Sequence, residues 1–422
     1  MPDQPSFRDS TRGLMSLEEA VERLLRSVEP IAETERLPLA DAPGRVLATD
    51  MDTPLDLPPF TNSAMDGYAV RAHQTTPGAR LRVVGRSMAG SPFAGPINPG
   101  ECVRIFTGAC LPEDLDAVVI QEKTEAEGDF VRLLVQAPIR AGDNVRRRGE
   151  ELRRGNRLLP AGVSLRPVDI GVLAVAGYRE VEVWRRPRVA FMATGDELAS
   201  PGQPLPPGFI YESNRPVLRA LLSEWGMEPL DLGIIPDDRE TQRRAMRWGA
   251  EQADALITTG GASVGEADYI LDLLRESGQV EFWKVAIKPG KPFMLGRMGD
   301  TPVFGLPGNP VSMMVAVIQL ARPALNRMAG RSHVNPVRWR VAARSPVRKS
   351  PGRLEFLRGV LEWRDGTPGV TALPCQGSHL LTTMSRANCF IVLPSECEGV
   401  GLGEMVEIEP FTPLTLPALG SL

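Results

Sequence analysis

Lysine is scarce in this chain. Only five of its 48 basic residues are lysine, so 43 are arginine. Histidine is scarcer, with His73, His333 and His379 alone. The five cysteines (Cys102, Cys110, Cys375, Cys389 and Cys397) are odd in number and include no Cys-x-x-Cys pair. Together these shortages exclude a disulfide framework and a His/Cys zinc site as organising features. A metal, if used, is expected to be a hard cation held by carboxylate oxygens. No apolar run approaches the ~20 residues of a membrane span. The first residues, MPDQPSFRDSTRG, lack the basic and apolar regions of a secretory signal, and a cytoplasmic protein is expected. A net charge of -4 offers nucleic acid no electrostatic footprint.

Three of the five lysines lie in one place. Lys284, Lys288 and Lys291 all fall in WKVAIKPGKPF, between two glycine-rich turns, TTGGASVGEADY (258–269) and GLPGNP (305–310). A lysine is a compact point charge that can approach a single oxyanion, unlike the planar guanidinium fork. The grouping predicts an anion pocket, most simply for phosphate.

At 422 residues, with 42% hydrophobic content, about three domains with substantial cores are expected. Ser16 and Glu19 form a capping box before an apolar stripe, which predicts a helix over 14–28, a packing or dimer element. Short β-branched runs separated by Gly/Pro turns then predict a small β domain over 46–150. Residues 151–186 return toward the first 45 as a linking domain, with a helix over 167–175. Strands and helices alternate over 187–330, which predicts an α/β domain built on a parallel sheet. Short strands resume over 331–422 as a C-terminal β domain.

In an open α/β sheet, ligands bind at the carboxyl ends of the strands. TGDEL (194–198) puts Asp196 and Glu197 there, and GIIPDD (233–238) puts Asp237 and Asp238 there. TTGGASVGEADY adds Gly260, Gly261, Ser263, Gly265, Glu266 and Asp268, with glycines that let backbone N–H groups approach a ligand. GLPGNPVS places Pro307, Gly308 and Asn309 before a helix whose N-terminus attracts anions. Carboxylates beside phosphate repel it unless a divalent cation lies between, and Mg²⁺ is the usual bridge. For Asp238, a helix N-cap is the better reading. Neither a GxxxxGK[ST] loop nor a strand-following GxGxxG is present. In the β domains, Asp66 and Thr107 sit on polar turns, and Ser378 and Arg386 could hold an oxyanion. No GxSxG elbow surrounds Ser378, which argues against a hydrolase.

Read in order, NSAMDGYAV (62–70), RIFTGA (104–109), RRRGE (146–150), TGDEL, GIIPDD, GGASVGEADY, IKPGKP (287–292), GLPGNPVS and QGSH (376–379) resemble the molybdopterin molybdenumtransferase family, the bacterial MoeA proteins related to the gephyrin E domain. The resemblance implies an elongated, four-part homodimer. Its central domain would resemble the molybdopterin adenylyltransferases, one of which is an expected partner. It implies insertion of molybdenum from molybdate into adenylylated molybdopterin, with Mg²⁺, and release of AMP. Asp66, Thr107, Glu197, Asp237, Asp268, Lys284, Lys288 and Ser378 fall on the family's functional positions. By that carry-over Glu197, Asp237 and Asp268 hold Mg²⁺ or orient water, Lys284 and Lys288 neutralise phosphate with Lys291 nearby, Ser378 and Arg386 position molybdate, and Asp66 comes from the partner subunit. Two positions depart from the family's usual pattern: Thr61 stands where an Asp is common, and Glu151 replaces an Asp. An adenylyltransferase using ATP and a gephyrin-type scaffold are the alternatives.

Overall fold

The structure is a computed structural model that describes residues 13–260, 269–277 and 280–411. Helix Leu17–Ser27 begins where Ser16 accepts the Glu19 N–H. It buries Leu17, Ala20 and Leu24 in the core of the α/β domain, and Arg327 Nε donates to the Val28 carbonyl at its far end. The helix is a packing element here. The linking segment pairs Thr34–Pro38 with Glu180–Trp184 and Met51–Asp52 with Arg157–Leu159, over a small core around Leu47, Leu165, Leu173 and Val183.

The small β domain is a six-stranded sheet, ordered Ala117–Ile120, Gly67–Val70, Glu101–Ile105, Arg80–Ser87, Phe130–Leu133 and Thr124–Glu127. Its strands bury apolar side chains on both faces: Val70, Cys102 and Val119 on one, Ala69, Val103 and Val118 on the other.

The α/β sheet is ordered Glu228–Ile235, Arg188–Thr194, Ala255–Thr259, Thr301–Leu306, Pro292–Met298 and Val280–Lys284. The first four strands are parallel. Successive residues of each strand serve opposite faces. Val189 and Phe191 pack with one helical layer, Ala190 and Met192 with the other, as a sheet covered on both sides requires. Strand Pro292–Met298, which the sequence reading does not contain, runs antiparallel to both neighbours and turns this edge into a hairpin. The helix expected over 311–328 spans Pro310–Met328 but carries a π-turn at Val317–Ala321. Pro323 explains it: proline has no N–H to give back along the helix, and its ring crowds the carbonyl four residues earlier.

The expected strand 280–287 is two strands in two different sheets. Val280–Lys284 belongs to the α/β sheet, whereas Ile287–Lys288 runs parallel to Leu354–Glu355 of the C-terminal domain. In that domain, Leu354–Arg364, Thr367–Ala372, Trp339–Ala343, Met405–Pro410 and Cys389–Leu393 form a sheet whose end strands also pair, closing a five-stranded barrel. Lys288 is thereby seated where two domains meet. Among the described residues no helix is long and apolar enough to cross a membrane.

Candidate functional site

The lysine loop lies against the start of helix Pro310–Ala316. Gly290 has a φ of +106°, and a Cβ there would stand 3.2 Å from the Ser312 carbonyl oxygen, so the loop needs glycine to pass. Lys288 Nζ donates to Glu355 Oε1 at 2.9 Å, across the strand pairing that joins the two domains. The Glu355 side chain is 6% exposed and that of Lys288 52%. The acid is anchored, and the ammonium stands at a water-facing wall.

That wall belongs to a cleft of about 920 Å³ between the α/β domain and the C-terminal barrel. Lys288, Lys291, Arg348 and Arg353 line it, with Glu355 as its acid and Ser312, Ser345 and Ser378 as its hydroxyls. Four cations against one carboxylate make an anion site by charge alone. Arg353 Nη1 donates to the Ile287 carbonyl (3.4 Å), so the arginine is tied to the lysine loop. Ser378 is placed by the PCQGSH turn, whose Gln376 exchanges hydrogen bonds with the Arg358 backbone.

Two expected members are not part of this wall. Lys284 is exposed at the end of its strand, opposite Pro292, and does not line the cleft. Arg386 ends a short helix, Leu381–Arg386, where a turn was expected; it is exposed and does not line the cleft either. The helix start at Pro310 is also less open to anions than its sequence suggests. Its Val311 N–H is donated to the Ser378 carbonyl (3.0 Å), and the Asn309 side chain forms no cap.

The acids cluster at the other end of the same sheet edge. Asp237 N–H donates to Asp196 Oδ1 (3.0 Å). Burial pushes the Asp237 carboxyl up, and the charges of Asp196 and Glu197 push it further the same way. Asp238 is the N-cap of helix Arg239–Gln252, accepting from Thr241, and has no other task in view. Between acids and lysines lie Gly260 and Gly308, which face each other closely. Asn214 Nδ2 holds the Gly308 carbonyl (2.8 Å). Gly260 has a φ of +83°, and a Cβ would sit 2.6 Å from the Thr194 carbonyl oxygen. Gly260→Ala is therefore expected to destabilise the protein by about 1–3 kcal/mol, read by chemical denaturation.

Strands in a sheet are about 4.8 Å apart, so the three spacings from Arg188–Thr194 to Pro292–Met298 set Asp196 and Glu197 about 14 Å from Lys291, and Asp237 follows the strand beyond. The sequence reading gathered them in one cavity. The structure spreads them along one edge, suited to an extended ligand. Gly261, Ser263, Gly265 and Asp268 lie outside the described residues, and Pro307 is buried beneath the rim.

Asp66 and Thr107 meet in the small β domain. Thr107 N–H and Oγ1 both donate to Asp66 Oδ1 at 2.8 Å, and these bonds hold the carboxyl below its usual range. Thr107 is thus engaged in fixing Asp66. At the departure Thr61, the hydroxyl accepts the Arg148 N–H (3.2 Å), which keeps an acceptor where a carboxylate is usual.

Arg348, Arg353 and Glu355 were not singled out from the sequence. With 43 arginines, no single one stands out, and Glu355 is marked only by its pairing with Lys288.

Three stretches match described families: the MoeA N-terminal region, domains I and II, at 15–177; a probable molybdopterin binding domain at 190–327; and the MoeA C-terminal region, domain IV, at 340–411. The chain is 40% identical to a molybdopterin molybdenumtransferase of Haemophilus influenzae, over 95% of this chain and all of that one. It is 35% identical to molybdopterin molybdenumtransferase 2 of Mycobacterium tuberculosis, over 95% of this chain and all of the relative. Its structure is similar to that of a molybdopterin biosynthesis moeA protein of Pyrococcus horikoshii. The TM-score is 0.82 at 30% identity, covering 94% of this chain and all of the other.

Proposed function

The chain belongs to the MoeA family of molybdopterin molybdenumtransferases, and on that premise we propose that it inserts molybdenum from molybdate into adenylylated molybdopterin along the edge just described, releasing AMP. The single observation that carries the placement is the cleft in which Lys288, Lys291 and Arg353 face Ser378. Its charge and hydroxyls suit a tetrahedral oxyanion. The remaining length of the edge suits a nucleotide-bearing pterin reaching toward Asp237.

Lys288 and Lys291 neutralise oxyanion and phosphate charge, an electrostatic contribution that grows as the anhydride breaks. Ser378 Oγ orients molybdate. Lys284 and Arg386, outside the cleft, are left with long-range charge. Glu197 and Asp237 would hold Mg²⁺. Their oxygens are hard donors, and Asp237 is already penalised as an anion by burial and by its acidic neighbours, a penalty a cation removes. Among the described residues no three such ligands close on one point, and Asp268 lies outside them; Mg²⁺ usually keeps several waters and takes one or two carboxylates with phosphate oxygens. When bound, Mg²⁺ supplies charge neutralisation between carboxylates and phosphate.

Asp66 belongs to the small β domain. The reading is a cytoplasmic homodimer in which a second copy presents Asp66 to this edge, and an adenylyltransferase hands over the substrate.

The test mixes purified protein with adenylylated molybdopterin, molybdate and Mg²⁺ and follows AMP. Molybdate-dependent AMP release is expected. AMP formation from ATP without molybdate, or none at any molybdate level, would contradict the reading.

A further inference from the structure

A second hollow, of about 280 Å³, opens where the end of helix Arg322–Met328 meets the last strand of the barrel, and it shares no lining residue with the lysine cleft. Two guanidinium groups face it from either side of Trp225. Arg322 lies over the indole ring, 4.9 Å from its centroid, and Arg331 Nη2 donates to the Trp225 carbonyl at 2.6 Å. The two arginines repel each other. Glu409 also lines the hollow, but its carboxylate is taken by Gln319 and by Arg338 Nε at 3.3 Å. Glu409 and Glu224 act on Arg322 only from a distance. Among the described residues neither arginine has a carboxylate within the 4.0 Å of an ion pair.

Buried polar atoms are normally satisfied, and here two are not. Arg331 Nε is buried without an acceptor. Asn326, only 5% exposed and lining the same hollow, leaves Oδ1 without a partner. Its Nδ2 donates to the Val334 carbonyl (3.5 Å), so what Asn326 leaves over is an acceptor, which a protonated oxygen of a phosphate group can meet. Val334, Pro336, Trp339 and Phe411 supply an apolar opposite wall. The volume falls just under the roughly 300–1,000 Å³ of drug-sized sites, which limits the occupant to a small one.

We propose that this hollow is a second anion site, taking a phosphate-class oxyanion between Arg322 and Arg331 with Asn326 at its floor. A guanidinium matches the oxygens of such a group with paired donors. The anion would also relieve the repulsion between the two arginines. This goes beyond the insertion reaction, which uses none of these residues.

Equilibrium dialysis with labelled inorganic phosphate tests it. Lys288→Ala weakens the lysine cleft but leaves Lys291, Arg348 and Arg353 there, so the hollow's share is read as the phosphate binding that survives Lys288→Ala and responds to its own arginines, and the outcome does not depend on the reading of that cleft. In that background phosphate is expected still to bind in the hollow. Adding Arg331→Gln or Arg322→Gln should weaken it by about tenfold or more, with folding of each variant checked by its unfolding temperature, because Arg331 also holds the Trp225 carbonyl and Arg322 the indole ring. Should either arginine variant fail to fold, Asn326→Asp decides. It is nearly isosteric, and its carboxylate should repel the anion. Undiminished binding in all three variants, or no phosphate bound in the Lys288→Ala background, would overturn the proposal.

Discussion

Lys288→Ala is expected to lower molybdate-dependent AMP release by about 10²–10³-fold, the usual loss when one preorganised electrostatic group is removed from a reaction centre. The mutation also unpairs Glu355, which is buried and accepts from Lys288 at 2.9 Å. An orphaned buried carboxylate costs stability, about 1–3 kcal/mol here because the lysine itself is half exposed. The two effects separate cleanly. Adding Glu355→Gln to Lys288→Ala removes the orphaned charge, so the double variant should recover stability and not activity. Lys288→Arg keeps the charge but widens it into a planar fork, in a cleft already holding Arg348 and Arg353. It should lose at least about tenfold. Wild-type rates in Lys288→Arg would show that only net charge matters at this position.

Asp237→Asn should nearly abolish the response to Mg²⁺. Activity is expected to fall by about 10²-fold or more, with the Mg²⁺ requirement shifted upward. Stability should move the other way. Burial and the neighbouring Asp196 and Glu197 push the Asp237 carboxyl up. An acid raised in the folded state is a cost while ionised, and that cost disappears as the pH falls through its raised value. Metal-free Asp237→Asn should therefore be more stable than the parent at neutral pH. The advantage should fade as the pH drops toward the ordinary aspartate value of about 4. Mg²⁺ should raise the unfolding temperature of the parent and leave the variant unmoved. Equal Mg²⁺ stabilisation of both proteins would remove Asp237 from the metal site.

Much of the edge was legible because rarity and periodicity marked it. Lys288 and Lys291 stood out against a background of arginine, and acids following β-branched runs fall at strand ends by the logic of an α/β sheet. Asp238 was legible as a cap, and the structure shows its carboxylate on Thr241. Strand Pro292–Met298 was not legible. It opens with proline and holds Gly296, where a Cβ would stand 2.8 Å from Leu274. Both residues read as turn formers, and tertiary packing overrides that preference. The division of 280–288 between two sheets has no local signal either, since both halves favour strand. Arg353 was hidden by composition and is identified only by its bond to the Ile287 carbonyl. The separation between Asp237 and Lys291 depends on strand order, which no single motif encodes.

The most direct measurement is a crystal structure with AMP and molybdate bound. The oxyanion is expected within about 3 Å of Lys288 Nζ and Ser378 Oγ, with AMP lying along the edge toward Gly260 and Asp237. An oxyanion seated elsewhere, with Lys288 still closed on Glu355 and the cleft holding only water, would contradict the assignment of this cleft.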